Sequence, residues 1–399
     1  MYQPPKDILE KYACVLVNFA LNSGAGVKKG EVVRLIASEV AKPLYVAIRN
    51  QILKSGAYPL SFYQPDDTQR QYYELATADQ LLFSPKKYYK GLADTIDHSI
   101  AIISETDKHE LEGIDPAKIM LQIKSGKPFK DRLDAKENAG KFTWTLALWG
   151  TQAMATEAGL SLEDYWQQII KACFLDEVNP ISKWREIFDQ SDMVRQKLNS
   201  LSIHKLHIEG KDMDLWITLG AKRKWLGGSG RNIPSFEIFT SPDWRGTNGW
   251  IRFNQPLYRY GSLIKDIYLE FKNGRVIKSA ASKNYEVLQK MIEVENADKV
   301  GEFSLTDKKM SKIDHFMAET LFDENISGPF GNTHIALGTS YQDTYNSDPG
   351  KVKKAEWKKL GFNNSAVHTD IISTTNRTVT ATFEDGGTKV IYKNGEFSV

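Results

Sequence analysis

Two glutamates, two histidines, an aspartate and a tyrosine in the last third of the chain are of the types that hold divalent cations and stabilise oxyanions. They stand in Phe236-Glu237-Ile238-Phe239-Thr240-Ser241-Pro242, Gly301-Glu302, His334-Ile335-Ala336-Leu337-Gly338-Thr339-Ser340-Tyr341 and His368-Thr369-Asp370. Carboxylate oxygen and imidazole nitrogen without a thiolate suit one or two ions of the zinc, cobalt or manganese kind. On an extended segment His368 and Asp370 share a face, so one short strand can offer a nitrogen and a carboxylate to the same pocket. Bound cations lower the pKa of water and polarise carbonyls, so the set points to metal-assisted hydrolysis. A second ion needs at least one bridging carboxylate. Glu237, Glu302, His334, His368 and Asp370, with water, are donors enough for two sites. The Tyr341 phenol could hydrogen-bond a developing oxyanion or reach a metal directly. An odd number of residues from His334, it would face away on a straight strand, and Gly338 permits the bend that unites them.

Each of these residues also has a plain reading. A lone Glu or Asp is commonly a surface carboxylate, and His334 before Ile335-Ala336-Leu337 could be a hydrogen-bonded histidine on a buried strand. His204 and His207, three apart in an expected strand, fall on opposite faces and do not act together. His98, His109 and His315 lie beside charged residues and read as surface positions.

The elements that must position the set differ between the two halves. Residues 7–22 carry Ile8, Leu9, Tyr12, Val15, Leu16 and Phe19 at helical spacing, with Asp7 as the expected N-cap. Val32–Ala37, Tyr58–Tyr63, Ser99–Ile103 and Thr143–Leu148 read as strands separated by helical stretches, one of them opened by Pro43. That alternation predicts βαβ units and a mainly parallel sheet, an N-terminal α/β domain over residues 1–190. Gly24, Gly26 and Gly30 follow a helix and lead into a strand, the reverse of a dinucleotide loop, and are read as a turn. From about Ser200 strands meet through tight turns, as at Asn273-Gly274 and Asp385-Gly386-Gly387, with one helix near Tyr285–Val294. Residues 191–399 are therefore expected to form a C-terminal α+β domain of antiparallel strands that carries every candidate ligand.

With 399 residues, two domains are the default. Fifty-two basic and fifty acidic side chains leave a net charge of +2, so no global field argues for nucleic acid. The basic runs Lys351-Val352-Lys353-Lys354 and Lys222-Arg223-Lys224 read as solvated faces. Cys14 and Cys173 are too few for a disulfide framework or a cysteine zinc site. No apolar run is long enough to span a bilayer, and the N-terminus has no signal-peptide pattern, so a cytoplasmic protein is expected.

Asn232-Ile233-Pro234 running into Glu237-Ile238-Phe239-Thr240-Ser241-Pro242 resembles the first signature of the thermophilic aminopeptidase family, which includes aminopeptidases T and S. Leu321-Phe322-Asp323-Glu324-Asn325 leading to His334-Ile335-Ala336-Leu337-Gly338 and Tyr341 is similar to its next, and Asn363-Asn364-Ser365 with His368 and Asp370 to its last. The likeness spans almost the whole chain. It implies a homodimeric two-metal exopeptidase acting on peptides with a free N-terminus, using zinc, cobalt, manganese or magnesium. It maps the metal ligands onto Glu237, Glu302, His334, His368 and Asp370 and the active-site tyrosine onto Tyr341. By the same analogy Glu237 and Asp370 would bridge, and Glu302 would bind near the attacking water. Three departures stand out. Phe236 replaces a glycine and is expected to add bulk beside the metals, Ile326 to Thr333 is lengthened and is expected to gate or narrow the entrance, and Ile371-Ile372-Ser373-Thr374 follows Asp370. Two alternatives remain open: a metal-dependent hydrolase of another bond, and a non-catalytic homologue that binds peptides or a partner.

Overall fold

The computed structural model describes residues 2–228 and 230–399. In the N-terminal half, β1 (Val32–Ser38), β2 (Tyr58–Gln64), β3 (His98–Ile103) and β4 (Thr143–Leu148) form a parallel sheet in the order β2-β1-β3-β4. The helix Lys42–Lys54 connects β1 to β2, and Pro43 in its first turn fixes φ where no N–H partner is needed. Its Leu44, Ile48 and Ile52, four apart, are buried, one apolar stripe turned into the core. The first helix, Lys6–Val15, continues as a wider turn to Ala20. Asp7 lies inside its first turn and does not cap it; Pro5 occupies the cap position. His98 is also not on the surface: it is buried, with its two ring nitrogens bonded to Thr143 and Glu31.

The C-terminal half adds β5 (Ile203–Gly210), β6 (Met213–Thr218), β7 (Leu226–Gly227), β8 (Glu237–Thr240), β9 (Asp243–Arg252), β10 (Leu257–Arg259), β11 (Ser262–Ile264), β12 (Tyr268–Lys272) and β13 (Arg275–Ala280). These are followed by β14 (Val300–Thr306), β15 (Asn332–Gly338), β16 (His368–Ser373), β17 (Arg377–Phe383), β18 (Thr388–Lys393) and β19 (Glu396–Phe397). The strands pair antiparallel in an eight-stranded sheet, β13-β12-β9-β6-β5-β17-β18-β19, and a five-stranded sheet, β16-β15-β14-β8-β7. The turn between β12 and β13 has Asn273 and Gly274 both at positive φ, the conformation an Asn-Gly hairpin requires. The mixed fold class, a parallel sheet first and antiparallel sheets after, is as the sequence predicts.

The two antiparallel sheets share one core. Ile238, Phe303, Leu305, Ile335, Leu337 and Ile371 of the smaller sheet pack with Leu206, Ile208, Leu215, Ile217 and Leu269 of the larger. Since neighbouring strand residues alternate faces, the intervening positions point the other way, toward the N-terminal half. Every residue of β8, β14 and β15 is buried, so that second face is covered as well. The N-terminal core is completed by Ile233, Phe236, Met310, Ile313, Met317, Leu321, Phe322 and Ile326 from later in the chain. The helix Pro180–Ser200 runs across the position where the sequence divides the halves.

Candidate metal centre

The covered face of the five-stranded sheet carries the charged residues. Register places Glu302 opposite Ala336 and Ala336 opposite Asp370, with Gly338 opposite His368 and His334 opposite Ser304. Glu237 stands opposite Thr306 on β8. All five candidate ligands thus share one side of four adjacent strands. Their atoms converge: His334 Nε2 is 3.1 Å from both Glu237 Oε2 and Glu302 Oε1, and 3.9 Å from Asp370 Oδ1. His368 Nε2 is 3.6 Å from Glu302 Oε2 and 3.4 Å from Asp370 Oδ1.

Two groups with ion-ligand spacing result, Glu237–Glu302–His334 and Glu302–His368–Asp370, each with donor atoms within 4.8 Å of one another. Glu302 belongs to both groups.

Local backbone devices explain the convergence. A bulge between Val300 and Glu302 shifts the register of β14 and re-aims the glutamate. Gly301 makes it possible, because a side chain there would overlap the carbonyl oxygens of Thr339 and Gly338. Gly338 ends β15 at φ +114°, with Val367 O where a Cβ would lie. That bend returns Tyr341 to the same side as His334. The Tyr341 ring sits 4.8 Å from the His368 ring and 5.8 Å from Phe239. Asn363 braces the bend by donating to Gly338 O, while its own N–H donates to Ser340 Oγ.

The donor chemistry fits a cation. His368 Nδ1 lies 2.8 Å from Thr339 O, and donation there leaves Nε2 as a ligand nitrogen. The buried Asp370 Oδ1 has no hydrogen-bond partner, an orphan that a cation would satisfy. Burial pushes the Glu302 carboxyl up to about 7, against the His334 hydrogen bond that lowers it. Burial would lower the His334 imidazole, yet Glu237 and Glu302 raise it well above its ordinary value. His368 is raised likewise, by Asp370 and Glu302. Asp370 is lowered despite its burial, chiefly by His368. Protons are thus held where positive charge is needed.

Several contributors had no role assigned from sequence. Asn232 Nδ2 donates to Glu324 Oε1 at 2.9 Å, and the Phe236 N–H donates to Asn325 Oδ1 at 2.7 Å. Asp323 accepts from the N–H groups of Met317 and Glu319. The two resembling motifs therefore bind each other and fix the entry to β8. Arg231 holds Glu137 at 2.7 Å and Asp343 at 2.5 Å, with its guanidinium 5.3 Å from the Tyr341 ring. These partners are 94 and 112 residues from Arg231, beyond any local pattern.

Two expectations are corrected. Phe236 adds no bulk beside the ligands: it lies just before β8 and its ring enters the N-terminal core, stacked 5.5 Å from Trp184 and edge-on 6.0 Å from Phe174. Replacing Phe236 by alanine is expected to cost about 3–5 kcal/mol of stability and to leave substrate preference unchanged. Thermal unfolding together with a substrate panel checks this, and a changed preference at unchanged stability would refute it. The 326–333 loop is no gate either. Phe330 O accepts from Tyr392 Oη, and Gly331 abuts Thr306 O and Gly395 O, so it is packed on the C-terminal strands.

A family model described as thermophilic metalloprotease (M29) matches residues 6–397. Aminopeptidase T of Thermus thermophilus is 28% identical, covering 96% of this chain and 98% of its own. Aminopeptidase AmpS of Bacillus subtilis is 28% identical over 95% and 96%, and aminopeptidase PepS of Streptococcus thermophilus 26% over 99% and 98%. The solved structure of wild-type AmpT from Thermus thermophilus superposes with a TM-score of 0.83 at 25% identity, covering 99% of this chain and all of that one.

Proposed function

Because this chain belongs to the thermophilic metalloprotease (M29) family, we propose that it removes N-terminal residues from peptides with two divalent cations held by its five converging ligands. That it is a metal-dependent aminopeptidase follows from the family and its named relatives. The observation that carries the two-cation reading is the pair of donor groups joined through Glu302. Glu237 and His334 would hold one cation, His368 and Asp370 the other, and Glu302 both. When bound, such cations polarise the scissile carbonyl and make water nucleophilic near neutral pH.

The chain's own residues do the rest. Burial and three carboxylates, Glu302 foremost, raise the Tyr341 phenol far above its ordinary value, so it keeps its proton. A neutral donor in a dry site stabilises an oxyanion without rearranging. The Arg231–Glu137–Asp343 ion pairs and the His368 ring hold the Tyr341 ring in place. Ser304 Oγ donates to Glu237 Oε2 at 3.2 Å and orients that carboxylate. Glu302, central to both groups, and Tyr341 are the residues we assign to catalysis. The family resemblance leads us to expect a homodimer that uses zinc, cobalt, manganese or magnesium.

Hydrolysis of an amino-acyl arylamide is the test. Turnover is expected with about two cations bound per chain, lost on chelation and restored by re-adding zinc, cobalt, manganese or magnesium, with no action on a nitrophenyl phosphate. A protein that binds no cation, or that cleaves only the phosphate, would overturn the reading.

A further inference from the structure

The long helix Pro116–Asn138 from the N-terminal half faces residues 294–299 and 362–366 across a cleft. The cleft is a cavity of about 830 Å³. A smaller one, walled by Tyr341, shares Gln342 and Asn364 with it and continues it along the same helix. Through these shared residues the large cleft adjoins the wall that carries Tyr341.

Its lining is cationic. Lys127 is neutralised by Asp131 and Arg275 by Asp298. Lys124, Lys299, Lys354 and Lys358 make no ion pair among the described residues. Lys299 is the unusual one: only 6% exposed, its ammonium lies 4.2 Å from the Trp244 ring centroid and donates to Asn296 Oδ1 at 2.5 Å. The Asp298 and Glu295 carboxylates act on it only from beyond ion-pair distance, so an anion in contact with it would have to come from outside. Trp357 and Phe362 supply apolar wall to the same cleft. Lys299 precedes Glu302 by three residues, so their backbones are at most roughly 10 Å apart at about 3.3 Å per extended residue. Three residues of an extended peptide span the same distance.

We infer that this cleft receives a carboxylate of the peptide substrate downstream of the cleaved bond, with Lys299 at its floor and Lys124 and Lys354 at its rim. The carboxylate is either an acidic side chain at the third or fourth position or the terminal carboxylate of a peptide of that length. The inference rests on the aminopeptidase reading and names a substrate class for it: short acidic peptides.

The experiment compares tetrapeptides sharing their first two residues, with glutamate or lysine at the third position, each with a free or an amidated C-terminus. The glutamate peptide is expected to exceed the lysine one about tenfold in kcat/KM at low salt, through KM, with the gap closing as salt is added. Comparing free and amidated termini shows which carboxylate is read. In Lys299→Met the glutamate-to-lysine ratio falls to about one. The exposed pair Lys124→Gln with Lys354→Gln lowers it in part, which keeps the test valid if the buried substitution disturbs folding. An arylamide turned over by the wild type with no acidic preference among the peptides sinks this inference alone. An arylamide left intact sinks the aminopeptidase reading and this inference with it.

Discussion

Replacing Glu302 by glutamine is expected to lower kcat/KM about a thousandfold or more, ~4 kcal/mol of transition-state stabilisation, with an unchanged far-ultraviolet spectrum. Glutamine keeps the volume of this buried side chain and one acceptor oxygen but removes the charge common to both donor groups. Neither group keeps its full ligand set, so bound cation should fall together with turnover. Elemental analysis of the purified variant reads this directly, and turnover at the wild-type level would defeat the assignment.

Proton release supports the same test. His334 and His368 are raised above 6.5, so their protons stabilise the ion-free fold below that pH, and this gain is lost as pH rises through their folded values. Glu302 is neutral up to about 7 without a cation. Ligands must shed these protons to bind, so cation affinity should rise with pH and uptake should acidify a weak buffer. The Glu302→Gln chain should release fewer protons.

Tyr341→Phe is expected to reduce kcat about 10²–10³-fold with KM within a few-fold, the signature of a donor that acts on developing charge. The ring's neighbours, His368, Phe239 and Arg231, contact its faces and edge, so phenylalanine keeps the packing. Steady-state kinetics on an arylamide distinguish the outcomes. A large rise in KM at unchanged kcat would make Tyr341 a substrate-binding group instead.

Much of this centre was legible along the chain because its determinants are local. His368 and Asp370 share a face by strand periodicity alone. Gly338 could be singled out because a return of Tyr341 beside His334 needs a bend that other residues resist. The Asn273-Gly274 hairpin and the strand–helix alternation of the first half were likewise written in short-range pattern. Phe236 shows the opposite case: its type and position beside Glu237 were plain, but its effect depended on which core its ring entered.

What the sequence determined by itself was the kind of ligand, the strand periodicity that carries it and the change of architecture between the halves. Which carboxylate is shared was decided by tertiary structure, since the Gly301 bulge that turns Glu302 inward exists only when β14 pairs with β15. The Arg231–Glu137–Asp343 ion pairs and the Asn232–Glu324 bond likewise join residues some ninety or more positions apart. The physical reason is common to all three. Strand pairing and desolvation act between segments distant in sequence, and no periodicity within one segment records where its partner will lie.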